Sequence, residues 1–179
     1  MMKMLTLSAV ICCSSAVAGA APTSPRAEIK HLVAELQASP NNQALREKII
    51  KLALTLKPKP AVPMEAERFL GRAQAAFKSA KSETDFLDTA REYLKAVEAA
   101  PWVAYYYYDL CLILESANRP NEAMRACKLF LAAAEPQSPE AADARKRLGG
   151  LEYTLEREKG AVVTRTSCDG SDEMYRQGS

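Results

Sequence analysis

The chain has 179 residues and a formal net charge of +2, with 48% apolar and 26% charged residues. That balance supplies a core and excludes wholesale disorder, and the small net charge lacks the electrostatic footprint of a nucleic-acid binder. One histidine and seven glycines exclude a His-rich metal centre and an enzyme with several Gly-rich phosphate loops.

The N-terminus carries a positive residue, Lys3, then an almost wholly apolar run from Met4 to Ile11 and small residues to Ala21. Two A-x-A sites follow, Ala16-Val17-Ala18 and Ala18-Gly19-Ala20. This is the layout of a secretory signal peptide. Residues 1–20 are expected to be removed and the protein to be exported, to a periplasm or outside the cell. The apolar run is too short to span a bilayer comfortably, so no stable membrane span is expected after removal. A lipid-attachment cysteine needs a small residue before it. Cys12 follows Ile11 and Cys13 follows Cys12, so a lipid anchor is disfavoured.

Residues 21–63 read as a helix pair and a Pro-rich linker. Ile29, Leu32, Val33 and Leu36 fall at i, i+3, i+4 and i+7 within Arg26–Ala38, one helical face. Ser39-Pro40-Asn41-Asn42 stops that helix and supplies capping side chains for the next. Leu45, Ile49, Leu52, Ala53 and Leu56 repeat the spacing until Lys57-Pro58-Lys59-Pro60, where proline rings end the helix.

Pro63 reopens a helix running from about Met64 to Lys81. Ser82-Glu83-Thr84-Asp85 reads as a turn with a capping box, opening a helix that carries Phe86, Leu87, Ala90, Leu94 and Val97. Pro101 breaks the chain before the apolar, aromatic stretch Val103–Ser116. After the turn Asn118–Asn121 a helix is expected over Ala123–Ala134, and a last one from Glu140 to about Lys159, with Ser138 as its cap and Pro139 in its first turn. No stretch alternates long enough to be a strand. Residues 159–179 have no period and are expected to form a flexible tail.

Arg72-Ala73, Leu110-Cys111 and Leu148-Gly149 recur at steps of about 38 residues, a period of helical arrays. The best unit is Tyr107-x2-Leu110-Cys111-x2-Leu114, then Ala123-x3-Cys127, then Pro136. A weaker one is Phe69-x2-Arg72-Ala73-x2-Ala76, Ala90-x3-Leu94 and Pro101. Over residues 64–158 the chain resembles the tetratricopeptide repeat family, with Cys111 in place of the usual Gly and Cys127 in place of the usual aromatic. The resemblance implies an all-α fold: a short right-handed α-solenoid of antiparallel helix hairpins, closed by a capping helix and preceded by the N-terminal pair. A helical bundle without repeats is the other architecture. Ala73, Ala90, Cys111, Ala123 and Gly149 would be the small positions where helices approach closely.

The resemblance also implies a concave surface that holds a peptide or helix of a partner protein. It places Tyr105, Tyr108, Asp109 and Leu112 on that surface and Tyr107 in the core, with Lys146 and Arg147 on the corresponding face of the last helix. Packing against the neighbouring hairpin is the competing role for the tyrosines, and a charged cap surface for Lys146 and Arg147. In this family the positions of Cys111 and Cys127 face one another, so an exported protein would either bridge them or bury both as small apolar residues. Cys168 would then be odd.

No catalytic site, metal site or cofactor is expected. His31 sits by Lys30 and Glu35 with no second ligand or nucleophile. Glu65 and Glu67, and Glu83 and Asp85, read as caps and solvated faces rather than an acid/base pair. No H-E-x-x-H, G-x-G-x-x-G or P-loop occurs. The sequence therefore reads as an exported, non-enzymatic adaptor of the periplasm or cell envelope that binds a protein or peptide. The alternative is a structural subunit that assembles with itself or with an envelope complex.

Overall fold

The computed structural model describes residues 24–169, and the side chains of residues 24–159. The signal-peptide reading of residues 1–20 lies outside the described residues. Among the described residues seven helices follow one another, α1 Pro25–Ala38, α2 Gln43–Thr55, α3 Met64–Ser79, α4 Glu83–Ala99, α5 Ala104–Ser116, α6 Pro120–Ala133 and α7 Pro139–Asp169. No strand occurs among the described residues, and the fold is all-α.

Local chemistry sets most of the boundaries. Ser24 and Asn42 accept from the Ala27 and Leu45 amides and cap α1 and α2. At α4 the capping box is complete: Ser82 Oγ accepts from the Asp85 amide and Asp85 Oδ2 accepts from the Ser82 amide, satisfying two otherwise orphaned donors. The Lys81 amide also donates to Asp85, and these bonds hold its carboxyl below the usual range. Ser138 caps α7 through the Ala141 amide, and Pro139 is its first residue. After α5 the chain turns at Asn118, whose φ of 52° is the left-handed conformation asparagine tolerates. Pro120 opens α6 at a position where its missing N–H costs nothing.

One boundary differs from the sequence reading. The flexible tail expected from residue 159 is helical to Asp169. Gly160 is a single glycine with no proline behind it, and one glycine costs a helix only about 1 kcal/mol.

Consecutive helices pack on one another from α3 to α7. The contacts fix their directions. Near the α3–α4 turn the rings of Phe77 and Phe86 lie 6.2 Å apart, and further away Arg72 pairs with Glu92 at 2.9 Å, so this hairpin is antiparallel. In α5–α6 the Cys111–Cys127 and Tyr108–Phe130 contacts open away from the turn in the same way. Tyr108 also reaches Asp143, and Glu115 reaches Arg147, so α5 and α7 run in the same direction.

The main core is made where small side chains let helices close up: Ala66 and Ala73 on α3, Ala90 and Ala96 on α4, Cys111 on α5, Ala123 and Cys127 on α6. Larger groups fill it, Val97, Tyr106, Tyr107 and Phe130 among them. Each such side chain removed from water contributes about 1.5–3 kcal/mol. The expected close-approach role fails at Gly149. It is exposed, and a Cβ there would meet nothing within 4 Å, because no hairpin follows α7 among the described residues to cover that face.

The N-terminal pair has its own small core of Leu32, Leu36 and Ile49. It folds back, α1 onto α4 and α2 onto α6. Trp102, in the α4–α5 connection, packs against both cores.

Candidate functional site

Four consecutive tyrosines on a helix point in all directions, and α5 sorts them. Tyr106 and Tyr107 are fully buried, with the Tyr107 hydroxyl donating to the Pro101 carbonyl at 3.0 Å. Burial pushes both phenols up. Tyr105 is 49% exposed, its ring set edge-on to Tyr106 at 4.6 Å between centroids. Tyr108 is half-buried and fully engaged. Its ring packs on Phe130 at 5.1 Å, and its hydroxyl donates to Asp143 Oδ2 at 2.9 Å.

Tyr108 and Glu115, two turns apart on α5, both reach α7. Arg147 binds both ends of this interface, donating from Nε to Asp143 Oδ2 at 2.5 Å and from Nη1 to Glu115 Oε2 at 2.7 Å. The bonds from Arg147 and then Tyr108 hold the Asp143 carboxyl below its usual range. Asp109 faces the other neighbour and accepts from the Tyr93 hydroxyl at 3.2 Å. Burial raises the Asp109 carboxyl, with the Tyr93 bond opposing.

The six residues read from the sequence as a partner surface thus divide. Tyr105 and Lys146 are exposed, and Leu112 is half-exposed between its polar neighbours. Tyr108, Asp109 and Arg147 are committed to joining helices within the chain. The sequence reading missed Glu115 and Asp143, whose pairing depends on contacts more than thirty residues apart. It also missed Arg46. That one had a signal: Arg46, Ile49, Ile50 and Ala53 are one helical face, and all four are buried.

Cys111 and Cys127 are bonded, with Cα atoms 5.3 Å apart. They and Glu115 bring three ligand-type atoms within 4.8 Å. The bridge occupies both sulfurs and Arg147 holds the Glu115 carboxylate, so the bridged trio offers no thiolate to a metal. No helix among the described residues is long and apolar enough to cross a membrane. Comparison of the chain with protein-family models, curated proteins and solved structures finds no match.

Proposed function

We propose that this protein is an exported, tetratricopeptide-like adaptor whose α5–α7 surface binds a peptide or helix of an envelope or periplasmic protein, without catalytic chemistry. The helices of residues 64–158 would form a short right-handed solenoid on which α3, α5 and α7 line the inner side. The observation that carries the reading is the α5–α7 pair. The two helices run in the same direction, are cross-linked through Tyr108–Asp143 and Glu115–Arg147, and leave Tyr105, Leu112 and Lys146 facing outward. A side chain such as Tyr105, braced by Tyr106, offers apolar area and a hydroxyl with little rotamer freedom to lose. The Cys111–Cys127 bridge supports export, since disulfides persist in oxidising compartments.

The test is a photoreactive residue at Tyr105, crosslinked in the exporting cell, beside mass measurement across a concentration range. One defined envelope protein, lost when Lys146→Glu and Leu112→Asp are introduced into a monomer, supports the adaptor. Crosslinks only between copies of this chain, with a mass that rises with concentration, replace it with the self-assembling subunit.

A further inference from the structure

A pocket of about 190 Å³ lies between α2, α4, α5 and α6. One side is apolar, from Leu94, Leu110, Leu114, Ala126 and Leu129, and the α1–α2 turn adds Asn41 and Gln43 opposite. Into this setting α2 brings Arg46, only 8% exposed. Its Nη2 donates to the Pro40 carbonyl at 2.5 Å, while its Nε is buried with no hydrogen-bond partner. Among the described residues no carboxylate lies within ion-pair distance of it. Tyr107, the nearest hydroxyl lining the pocket, is already committed to Pro101.

A guanidinium taken out of water is costly unless paired, and Arg presents a planar fork that matches a carboxylate. The rim adds Arg125 and Glu122, both exposed. With Arg46 they leave the pocket one positive charge in excess, so a single anion balances it. The volume is comparable to cavities known to take a benzene-sized molecule. We infer that this pocket is a binding site for a small organic monocarboxylate, with the carboxylate on Arg46 and the apolar body against Leu94, Leu110, Leu114 and Leu129. The site lies away from Tyr105, Leu112 and Lys146 and does not depend on the adaptor reading.

The experiment titrates benzoate, its neutral isostere benzamide, and phthalate into the full chain, followed by methyl NMR shifts of the leucines and by calorimetry. Benzoate is expected to shift the Leu94, Leu110, Leu114 and Leu129 methyls, and benzamide to bind at least about tenfold more weakly, as loss of a charge-assisted pair requires. Phthalate, with its second charge, is expected to bind no tighter than benzoate. Arg46→Met, checked for an unchanged circular dichroism spectrum, should remove the preference for benzoate over benzamide. The proposal is overturned if millimolar benzoate leaves those methyls unmoved, or if benzamide binds equally well. Tighter binding of phthalate overturns the single-charge assignment. The comparison of the three probes on the unaltered chain decides the matter even if Arg46→Met does not fold.

Discussion

The Tyr108 hydroxyl donates to Asp143 Oδ2 at 2.9 Å, joining the early turns of α5 and α7 across the helix that separates them in sequence. Arg147 holds the same carboxylate and Glu115 as well. The pair therefore belongs to a small polar clamp that fixes how the last helix lies on the hairpin before it. Removing one member leaves the others short of a partner.

Tyr105 and Tyr108 should separate binding from stability. Tyr108→Phe is expected to cost about 1 kcal/mol of folding stability, the net worth of a hydrogen bond, and to leave partner capture unchanged. Tyr105→Ala is expected to weaken partner binding by about 1–3 kcal/mol, as for an exposed aromatic anchor, with a small effect on urea unfolding. Equal stability losses in the two variants would show Tyr105 to be part of the core.

The clamp makes stability depend on acid. Asp143 titrates below its ordinary value of 3.8 in the folded protein. Its contribution is fully present above that value and is lost as pH falls through the lowered one. The difference in unfolding free energy between the wild type and Asp143→Asn should therefore be constant from pH 7 to about 5 and shrink below the ordinary carboxylate range. Asp109 has the opposite sign. Its carboxyl is raised, so ionisation opposes folding as pH rises through its titration, and Asp109→Asn should relieve that loss. Urea melts of the three proteins between pH 7 and 2.5 would show a flat difference for Asp143→Asn if the clamp carries no charge-dependent energy.

The Cys111–Cys127 bridge should hold the α5–α6 hairpin. Cys111→Ala with Cys127→Ala is expected to lower stability by about 2–4 kcal/mol. The chain has five cysteines and one bridge among the described residues, so thiol counting under non-reducing denaturing conditions should find at most three free thiols per full chain. If residues 1–20 are removed, three cysteines remain and the count should be at most one. A full complement of thiols in protein from an oxidising compartment would show the bridge to be unformed.

Glycine and alanine positions of the helices should respond in opposite ways. A Cβ at Gly71 or Gly149 meets no atom within 4 Å, so Gly71→Ala and Gly149→Ala should each stabilise by about 0.5–1 kcal/mol. Ala73 and Ala123 are fully buried, and enlarging either to Leu should cost about 1–3 kcal/mol through overpacking. Thermal melts of the four variants decide it, and a stabilising Ala73→Leu would mean that α3 and α4 are not closely packed there.

The helices were legible because their ends are marked by side chains acting over three or four residues. Ser82 with Asp85, Asn42, and Ser138 with Pro139 all stop or start a helix by contacts within one turn. The burial of Ala73, Ala90, Cys111 and Ala123 was legible from their place in a repeated pattern. Gly149 fits the same pattern, yet a small residue makes a close contact only when another helix arrives, and none does among the described residues. The end of α7 was misread because absence of periodicity does not break a helix when no proline follows. The site was less legible than the fold. The repeat resemblance points Tyr108 and Arg147 at a partner, but whether such a group meets a partner or an internal carboxylate depends on Asp143 and Glu115, which spacing along one helix cannot show. Arg46 stood in plain view on the apolar face of α2; what spacing could not reveal was that no acid among the described residues comes to meet it.

The docking of α2 on α6 has a consequence for the order in which the chain acquires its shape. Synthesis delivers α1 and α2 first, and the surface that receives α2 exists only after α6 has followed. Until then the apolar side of the pair, with Ile50 at its centre, has no cover of its own. The leading segment is thus the part that a holding chaperone would grip during this delay, and its final seating is the step at which such a chaperone must let go.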